Sequence, residues 1–202
     1  MTTDSFSAFG KYISNNYEIH DFRHGVTILK HDFSKEFNDI KNCLENFSLT
    51  KNDILKKGGG MTDISKRLNG DFYKKGWKET TFNLELNIKT NKENDIKNFP
   101  THGIDSFKNK VGVEVEWNNK TEFYDRDLGN FRLLNELKIL DVGIIITRCD
   151  SLQEIFKKLG KGDSYGSSTT ILSKCVHKAE SGRAGACPLI LFGIKKSLVK
   201  NL

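Results

Sequence analysis

The chain has 202 residues, 37% of them hydrophobic and 29% charged, which is enough apolar material for one domain core; the longest apolar run, 140–147, is strand-sized and far too short to span a bilayer. Thirty-two Lys and Arg against 26 Asp and Glu leave a net charge of +6, which favours a polyanionic partner such as nucleic acid without requiring one. Cys43, Cys149, Cys175 and Cys187 form no Cys-x-x-Cys pair, which argues against a zinc ribbon; buried free thiols in a reducing compartment are expected, ahead of a metal site at Cys175, His177 and Cys187. The first residues have neither the basic start nor the apolar stretch of a secretory signal, so a cytoplasmic location is expected.

Taken in chain order, the pattern predicts a short strand over 25–29. A helix follows over 34–47, where Phe37, Ile40, Leu44 and Phe47 recur at helical spacing. Thr50 to Asp53 reads as a helix start, and 58–60, three glycines, as a flexible break. Thr62 reads as an N-cap, with Ile64, Leu68 and Phe72 on one stripe and Gly76 as the stop. Phe82, Leu84, Leu86 and Ile88 alternate with polar residues and predict a strand, followed by a polar loop over 89–100. A hairpin is expected over 102–117, then a helix carrying Phe123, Leu128, Phe131, Leu134 and Leu137. A strand buried on both faces is expected over 142–146, and a helix with Leu152, Ile155, Phe156 and Leu159 after it. A Gly- and Ser-rich loop over 160–168 and a buried strand over 189–194 complete the reading.

This order describes an α/β fold, a mixed central sheet flanked by helices, with a crossover helix directly after the hairpin. It suggests one domain over 1–202, with a core at about 80–195 and an N-terminal helical part at about 30–76. The hairpin's second strand would sit at a sheet edge, open to solvent and to a large substrate.

That hairpin is the most informative stretch. Val111, Val113, Val115 and Trp117 share one face of a strand, and Glu114 and Glu116 share the other. Asp105 lies on the neighbouring strand, across a turn through Lys108, Asn109 and Lys110, so three carboxylates are directed toward one point. Adjacent carboxylates repel unless a positive charge sits between them, and a hard divalent cation prefers oxygen ligands. On pattern alone, a solvated strand face opposed by lysines fits equally well. Trp117, on the valine side, is expected in the core.

The ordered set of segments goes further. His102-Gly-Ile-Asp105, Val113-Glu-Val-Glu-Trp-Asn-Asn-Lys120, Arg126-Asp-Leu128, Val142-Gly-Ile-Ile-Ile-Thr-Arg148 and Gly185-Ala-Cys-Pro-Leu-Ile-Leu-Phe-Gly193 resemble the PD-(D/E)XK nuclease superfamily. Gly58-Gly-Gly60 and Gly76-Trp-Lys-Glu79 fit as well. The nearest likeness is to type II restriction endonucleases of the BglII and BstYI kind, with BamHI more distant. Most of the superfamily has lysine where this chain has Glu116; the BamHI-like and BglII-like enzymes have Glu or Gln.

The resemblance implies a set of roles. Asp105 and Glu114, with the backbone carbonyl of Val115, would hold one or two Mg2+ ions, and Glu116 would orient or deprotonate the attacking water. Just beyond the catalytic strand, Asn119 first, then Asn118 and Lys120, would enter the major groove. Arg126 and the loop residues Ser167, Ser168 and Thr169 are further candidates for DNA contact, and Lys108, Lys110, Lys174, His177, Lys178 and Arg183 for phosphates. His102 is expected to be structural before it is a DNA contact. Relatives of this kind are homodimers that cut GATC-containing palindromes and leave 5′ overhangs. A methyltransferase would accompany the enzyme in a restriction-modification system. Segments 34–47 and 50–72 are the candidate dimer interface. A repair or structure-specific nuclease of the same fold, and a DNA-binding protein without chemistry, remain the alternatives.

Overall fold

The computed structural model describes residues 7–56, 62–166 and 168–200; the triple glycine at 58–60 and Ser167 lie outside them. In chain order the elements are α1 (Lys11–Asn16), β1 (Tyr17–Phe22), α2 (Gly25–Asp32), α3 (Ser34–Asn46), β2 (Leu49–Thr50), α4 (Lys51–Leu55) and α5 (Asp63–Tyr73). There follow β3 (Lys78–Thr80), β4 (Asn83–Lys89), β5 (Asn94–Pro100), β6 (Ile104–Lys108), β7 (Val111–Glu116), α6 (Phe123–Glu136), β8 (Val142–Arg148), α7 (Gln153–Lys158), α8 (Leu172–Glu180), β9 (Leu189–Ile194) and β10 (Val199–Lys200).

Six strands form one mixed sheet in the order β1-β9-β8-β7-β6-β3. β7, β8 and β9 run parallel and are buried along their whole length, and β1, β6 and β3 pair antiparallel outside them. The sheet is therefore mixed and flanked by helices, as the element order implied. One face carries Val111, Val113, Val115, Trp117, Val142, Ile144, Ile146, Ile190, Phe192 and Ile194, packed with Phe37, Ile40, Leu44, Ile64, Leu68 and Phe72 of the N-terminal helices. The other face carries Ile145, Leu189 and Leu191 under Tyr124, Leu128, Phe131 and Leu134 of α6 and Leu172 and Cys175 of α8. All four cysteines are buried and unpaired. Among the described residues, no helix is long and apolar enough to cross a membrane.

The helix starts follow local chemistry. At α4, Thr50 and Asp53 form a reciprocal capping box, and at α5 the Thr62 hydroxyl accepts the Ser65 N–H. Gly76 has φ 84, a left-handed turn that a side chain resists, and the chain reverses there after α5.

Two expectations are corrected. Residues 25–29 belong to a helix, α2, and the first strand is 17–22. The apolar run Val26 to Leu29 is too short to fix a period, and Val26 and Leu29, three apart, are the side chains that α2 buries. The polar stretch 89–100 is no loop but contains β5, paired in register with β4 (Leu84 with Phe99, Ile88 with Asp95). Its turn is closed by Thr90, whose hydroxyl accepts the N–H groups of Lys92 and Glu93. This ribbon forms its own two-stranded sheet, and Leu86, Ile88, Ile96 and Phe99 stay exposed, so the alternation over 82–88 marks a strand outside the main core. Phe37, Ile40 and Leu44 of α3 and Ile64, Leu68 and Phe72 of α5 pack into the chain's own core, while Leu55 at the end of α4 stays exposed.

Candidate active site

The site is built on the β6–β7 hairpin. Asn109 and Lys110 turn it with φ 47 and 67, a tight left-handed pair that matches strand twist. The turn sets Ser106 opposite Val113, so Asp105 falls one step further on, across from Glu114. There the ladder gives way to side chains. The Asp105 N–H donates to Glu114 Oε2 at 3.3 Å, and the Val115 N–H donates to Asp105 Oδ2 at 3.1 Å. Asp105 and Glu114 are thus locked together across the strands, while the Val115 side chain faces the core behind them.

β7 is not a sheet edge. It lies between β8 and β6, and its glutamates are buried: Glu114 is 1% exposed and Glu116 3%. The expected solvent-open edge is thereby corrected; β6 and β3 extend the sheet beyond β7, and α6 covers the acidic face. The close approach of α6 has a visible cause. Gly112 and Gly143 are cross-strand neighbours beneath Phe131, and a Cβ at Gly143 would lie 2.5 Å from the Phe131 ring.

Glu116 is held by a different set of partners. Its Oε2 accepts the Asn119 side-chain amide at 2.6 Å, and its Oε1 is 3.3 Å from Arg126 Nη2. Its backbone carbonyl accepts the Thr147 hydroxyl at 2.8 Å, and Thr147 in turn meets Tyr124 Oη at 2.7 Å. Arg126 also donates to Asp127 Oδ1, from Nε at 2.9 Å and from Nη2 at 2.8 Å. Asp127 is fully buried and its carboxyl lies within hydrogen-bonding reach of Glu116, so the site holds a fourth acid. Among the described residues, no three acidic, thiol or imidazole groups close into a ready-made metal cage. Asp105 and Glu114 form one pair, and Glu116 and Asp127 a second beside it.

Burial dominates the electrostatics. Desolvation, then the charges of Asp127 and Asp105, hold Glu114 well above the usual carboxylate range. Desolvation and the Asp127 charge push Glu116 up to about 9, against the hydrogen bond from Asn119 and the charge of Arg126. Burial also raises Asp127, and Arg126 opposes it. Beside the cluster, His102 is lowered by burial and by Arg126; its carbonyl accepts the Asn130 amide at 3.0 Å, a structural contact.

The lysines of the turn do not serve this cluster. Lys108 shares the strand face of Ser106, opposite to that of Asp105, and binds Asp39 at 2.8 Å and the Lys75 carbonyl at 2.9 Å; Lys110, in the turn, pairs with Asp141 at 3.6 Å. For Lys108 the strand's alternation cancels its proximity in sequence.

Beyond β7 the two segments expected to contact DNA come together. The Asn119 N–H donates to Thr170 Oγ1 at 3.1 Å, and the Thr170 N–H to the Asn119 carbonyl at 2.8 Å. Lys120 bridges to Thr169, the Thr121 N–H reaches the Ser168 carbonyl at 3.0 Å, and Asn118 Nδ2 reaches the Ser164 carbonyl at 3.0 Å. Lys120 and Ser168 are exposed and Thr169 is partly so. Arg148 anchors this segment from within: it is fully buried, donates to Thr169 Oγ1 at 2.7 Å and the Tyr165 carbonyl at 3.3 Å, and lies over the Phe156 and Tyr165 rings. Nothing short of its position at the end of an apolar strand marks it in the sequence. Lys178 and Arg183 both engage Asp125, and Lys174 donates to the Thr169 carbonyl at 3.2 Å.

Asp127 was within reach of sequence reasoning, since it follows Arg126 in a segment that carried the resemblance. An acid on the buried side of an amphipathic helix is the signal. The donor set suits a hard divalent cation: all are oxygens, and Glu114 Oε1 is buried without a hydrogen-bond donor.

Comparison with curated proteins finds no match. The family described as restriction endonuclease BglII/BglIII matches residues 17–194, from the first strand of the sheet to the last residue of β9. With nearly its whole length matched, the chain belongs to the BglII/BglIII family of restriction endonucleases.

Proposed function

We propose that this chain is a Mg2+-dependent type II restriction endonuclease of the PD-(D/E)XK fold. It cuts both strands of a GATC-containing palindrome, leaving 5′ overhangs with 5′-phosphate ends. The observation that carries the reading is the Asp105–Glu114 pair, interlocked across a hairpin, with a buried oxygen that no donor satisfies, in a restriction endonuclease chain.

Asp105, Glu114 and the Val115 carbonyl would hold the ion. The chemistry it supplies when bound is polarisation of the phosphodiester and acidification of a water. Glu116, held by Asn119 and Arg126, orients the attacking water and takes its proton. The leaving group is the 3′-oxygen. Asn118, Asn119 and Lys120 read base edges, and Ser167, Ser168 and Thr169 are further contacts; the pinning of 118–121 to 168–170 supports a preformed reading surface. Arg126 serves the acids in this reading and not a phosphate. A two-fold target calls for a two-fold protein, hence a homodimer, with the partnering methyltransferase protecting host DNA.

The test is digestion of unmethylated and methylated DNA with Mg2+ or with chelator, followed by sequencing of the ends. Discrete fragments with one end sequence support the reading. DNA left intact across many substrates and divalent metals overturns it. Asp105→Ala and Glu114→Ala should keep DNA binding and lose cutting; retained cutting in both removes the site assignment.

A further inference from the structure

We infer that the β4–β5 ribbon is a second DNA-reading element, which lays an asparagine face in the major groove beside the bases met by 118–120. This rests on the reading above that the chain binds and cuts DNA. The first observation is where the ribbon is rooted. β3 ends at Thr80, paired with Ile104 at the start of β6, so the ribbon leaves and rejoins the sheet at the end where Asp105 and Glu116 lie. Its root is fixed. The Phe82 N–H donates to Thr101 Oγ1 at 3.0 Å, the Thr101 N–H donates to the Phe82 carbonyl at 2.9 Å, and the Phe82 ring meets Phe107 edge-on. Beyond the root every residue of β4 and β5 except Leu84 is exposed, so the arm stands clear of the body over roughly 20 Å.

Register then sorts the side chains. Asn83, Asn87, Asn94 and Asn98 share one face with Glu85 and Lys89. Leu84, Leu86, Ile88 and Phe99 share the other with Asp95 and Lys97. Asparagine is disfavoured in strands, and threonine would solvate a face at less cost, so four asparagines on one face of two short strands need another reason. Each amide offers a donor and an acceptor, the pair that matches the edge of adenine. Lys89, Lys92 and Lys97 balance Glu85, Glu93 and Asp95, so 83–100 is neutral in a chain of net charge +6. That suits amide contact with base edges and not neutralisation of phosphates. The major groove, about 12 Å wide, admits a two-stranded ribbon; the minor groove, about 6 Å, does not. The opposite face is less suited to a second copy of the chain. There the Asp95–Lys97 pair, 2.8 Å apart, interrupts the apolar residues and would have to be desolvated.

The experiment uses the full chain and a DNA fragment that the wild type cuts with Mg2+, held uncut in chelator. The four native cysteines are buried, so a benzophenone maleimide marks an introduced surface thiol, at Asn87→Cys or at the control Glu136→Cys on the far end of α6. On irradiation residue 87 should crosslink to DNA and residue 136 should not. The double variant Asn87→Ala with Asn98→Ala should lose at least about tenfold in gel-shift affinity, with its salt dependence unchanged because no charge is removed. Wild-type affinity in the double variant overturns the inference and leaves the nuclease reading standing. Crosslinks from residue 87 that join two protein chains and no DNA do the same, and make the ribbon a contact between copies. If the wild type neither cuts nor shifts any fragment, the DNA reading falls and the inference with it.

Discussion

Glu116→Gln separates what this side chain does for folding from what it does for chemistry. Its carboxyl is pushed from an ordinary 4.5 to about 9, chiefly by burial. Between those two values the folded chain binds a proton that the unfolded chain releases. Stability is therefore lost as pH rises from about 4.5 toward 9 in metal-free protein. At about 1.36 kcal/mol per pH unit, the cost at pH 8 has an upper bound of roughly 5 kcal/mol. Glu116 and Asp127 share this penalty, so glutamine recovers part of it, roughly 2–3 kcal/mol. Glutamine keeps the shape and still accepts from Asn119 or Arg126 through its oxygen. The assay is urea unfolding in chelator at pH 5 and pH 8. The variant should equal the wild type at pH 5, exceed it at pH 8, and cut DNA at least about a hundredfold more slowly, since the general base we propose is gone. A stability difference that is the same at both pH values would refute the argument, since a proton-linked penalty cannot be flat in pH.

Three other outcomes follow. Gly143→Ala places a methyl group against the Phe131 ring and should cost about 1–3 kcal/mol in urea unfolding, with cleavage reduced as α6 is lifted from the sheet. Arg148→Met removes the buried donor to Thr169 and the Tyr165 carbonyl; limited proteolysis should then cut within 161–170 faster, with about 2–3 kcal/mol lost. Asn119→Ser removes the amide that holds Glu116. Cleavage should fall more than DNA affinity, read by comparing single-turnover rates with gel shifts in chelator.

The sequence made the local facts readable and left the spatial ones hidden. Alternation alone assigned Val111, Val113, Val115 and Trp117 to one face and Glu114 and Glu116 to the other, because a strand's period is two and both faces are buried. Capping residues located α4 and α5 for the same kind of reason. What alternation does not encode is which strands flank β7. Its interior place depends on β8 joining it in parallel after a helical crossover, a long-range event with no local mark. The ribbon of β4 and β5 shows the reverse limit: its pattern is that of a half-buried strand, yet its apolar residues remain exposed. Glu116 illustrates both. Its strand face was legible, but its partners come from 3 and 10 positions further on, across a turn and on a helix.

Arg126 bears on Glu116, the position at which the resemblance to the PD-(D/E)XK superfamily leads one to expect a lysine. A lysine there would have the strand itself bring a positive charge to the site. Here the strand brings a third acid, and the positive charge arrives from the first turn of α6, 3.3 Å from Glu116 and fixed by its fork to Asp127. If the helix has taken over the strand's part, the two arrangements exclude each other. Glu116→Lys alone would crowd an ammonium against a guanidinium and should destabilise the fold. Arg126→Gln in the same chain would relieve that repulsion, leaving the new lysine to answer Asp127. A double-mutant cycle in urea should then give a favourable coupling of about 1–3 kcal/mol. Strictly additive effects would mean that Arg126 is indifferent to what position 116 carries, and that the helix-borne charge does not substitute for the missing lysine.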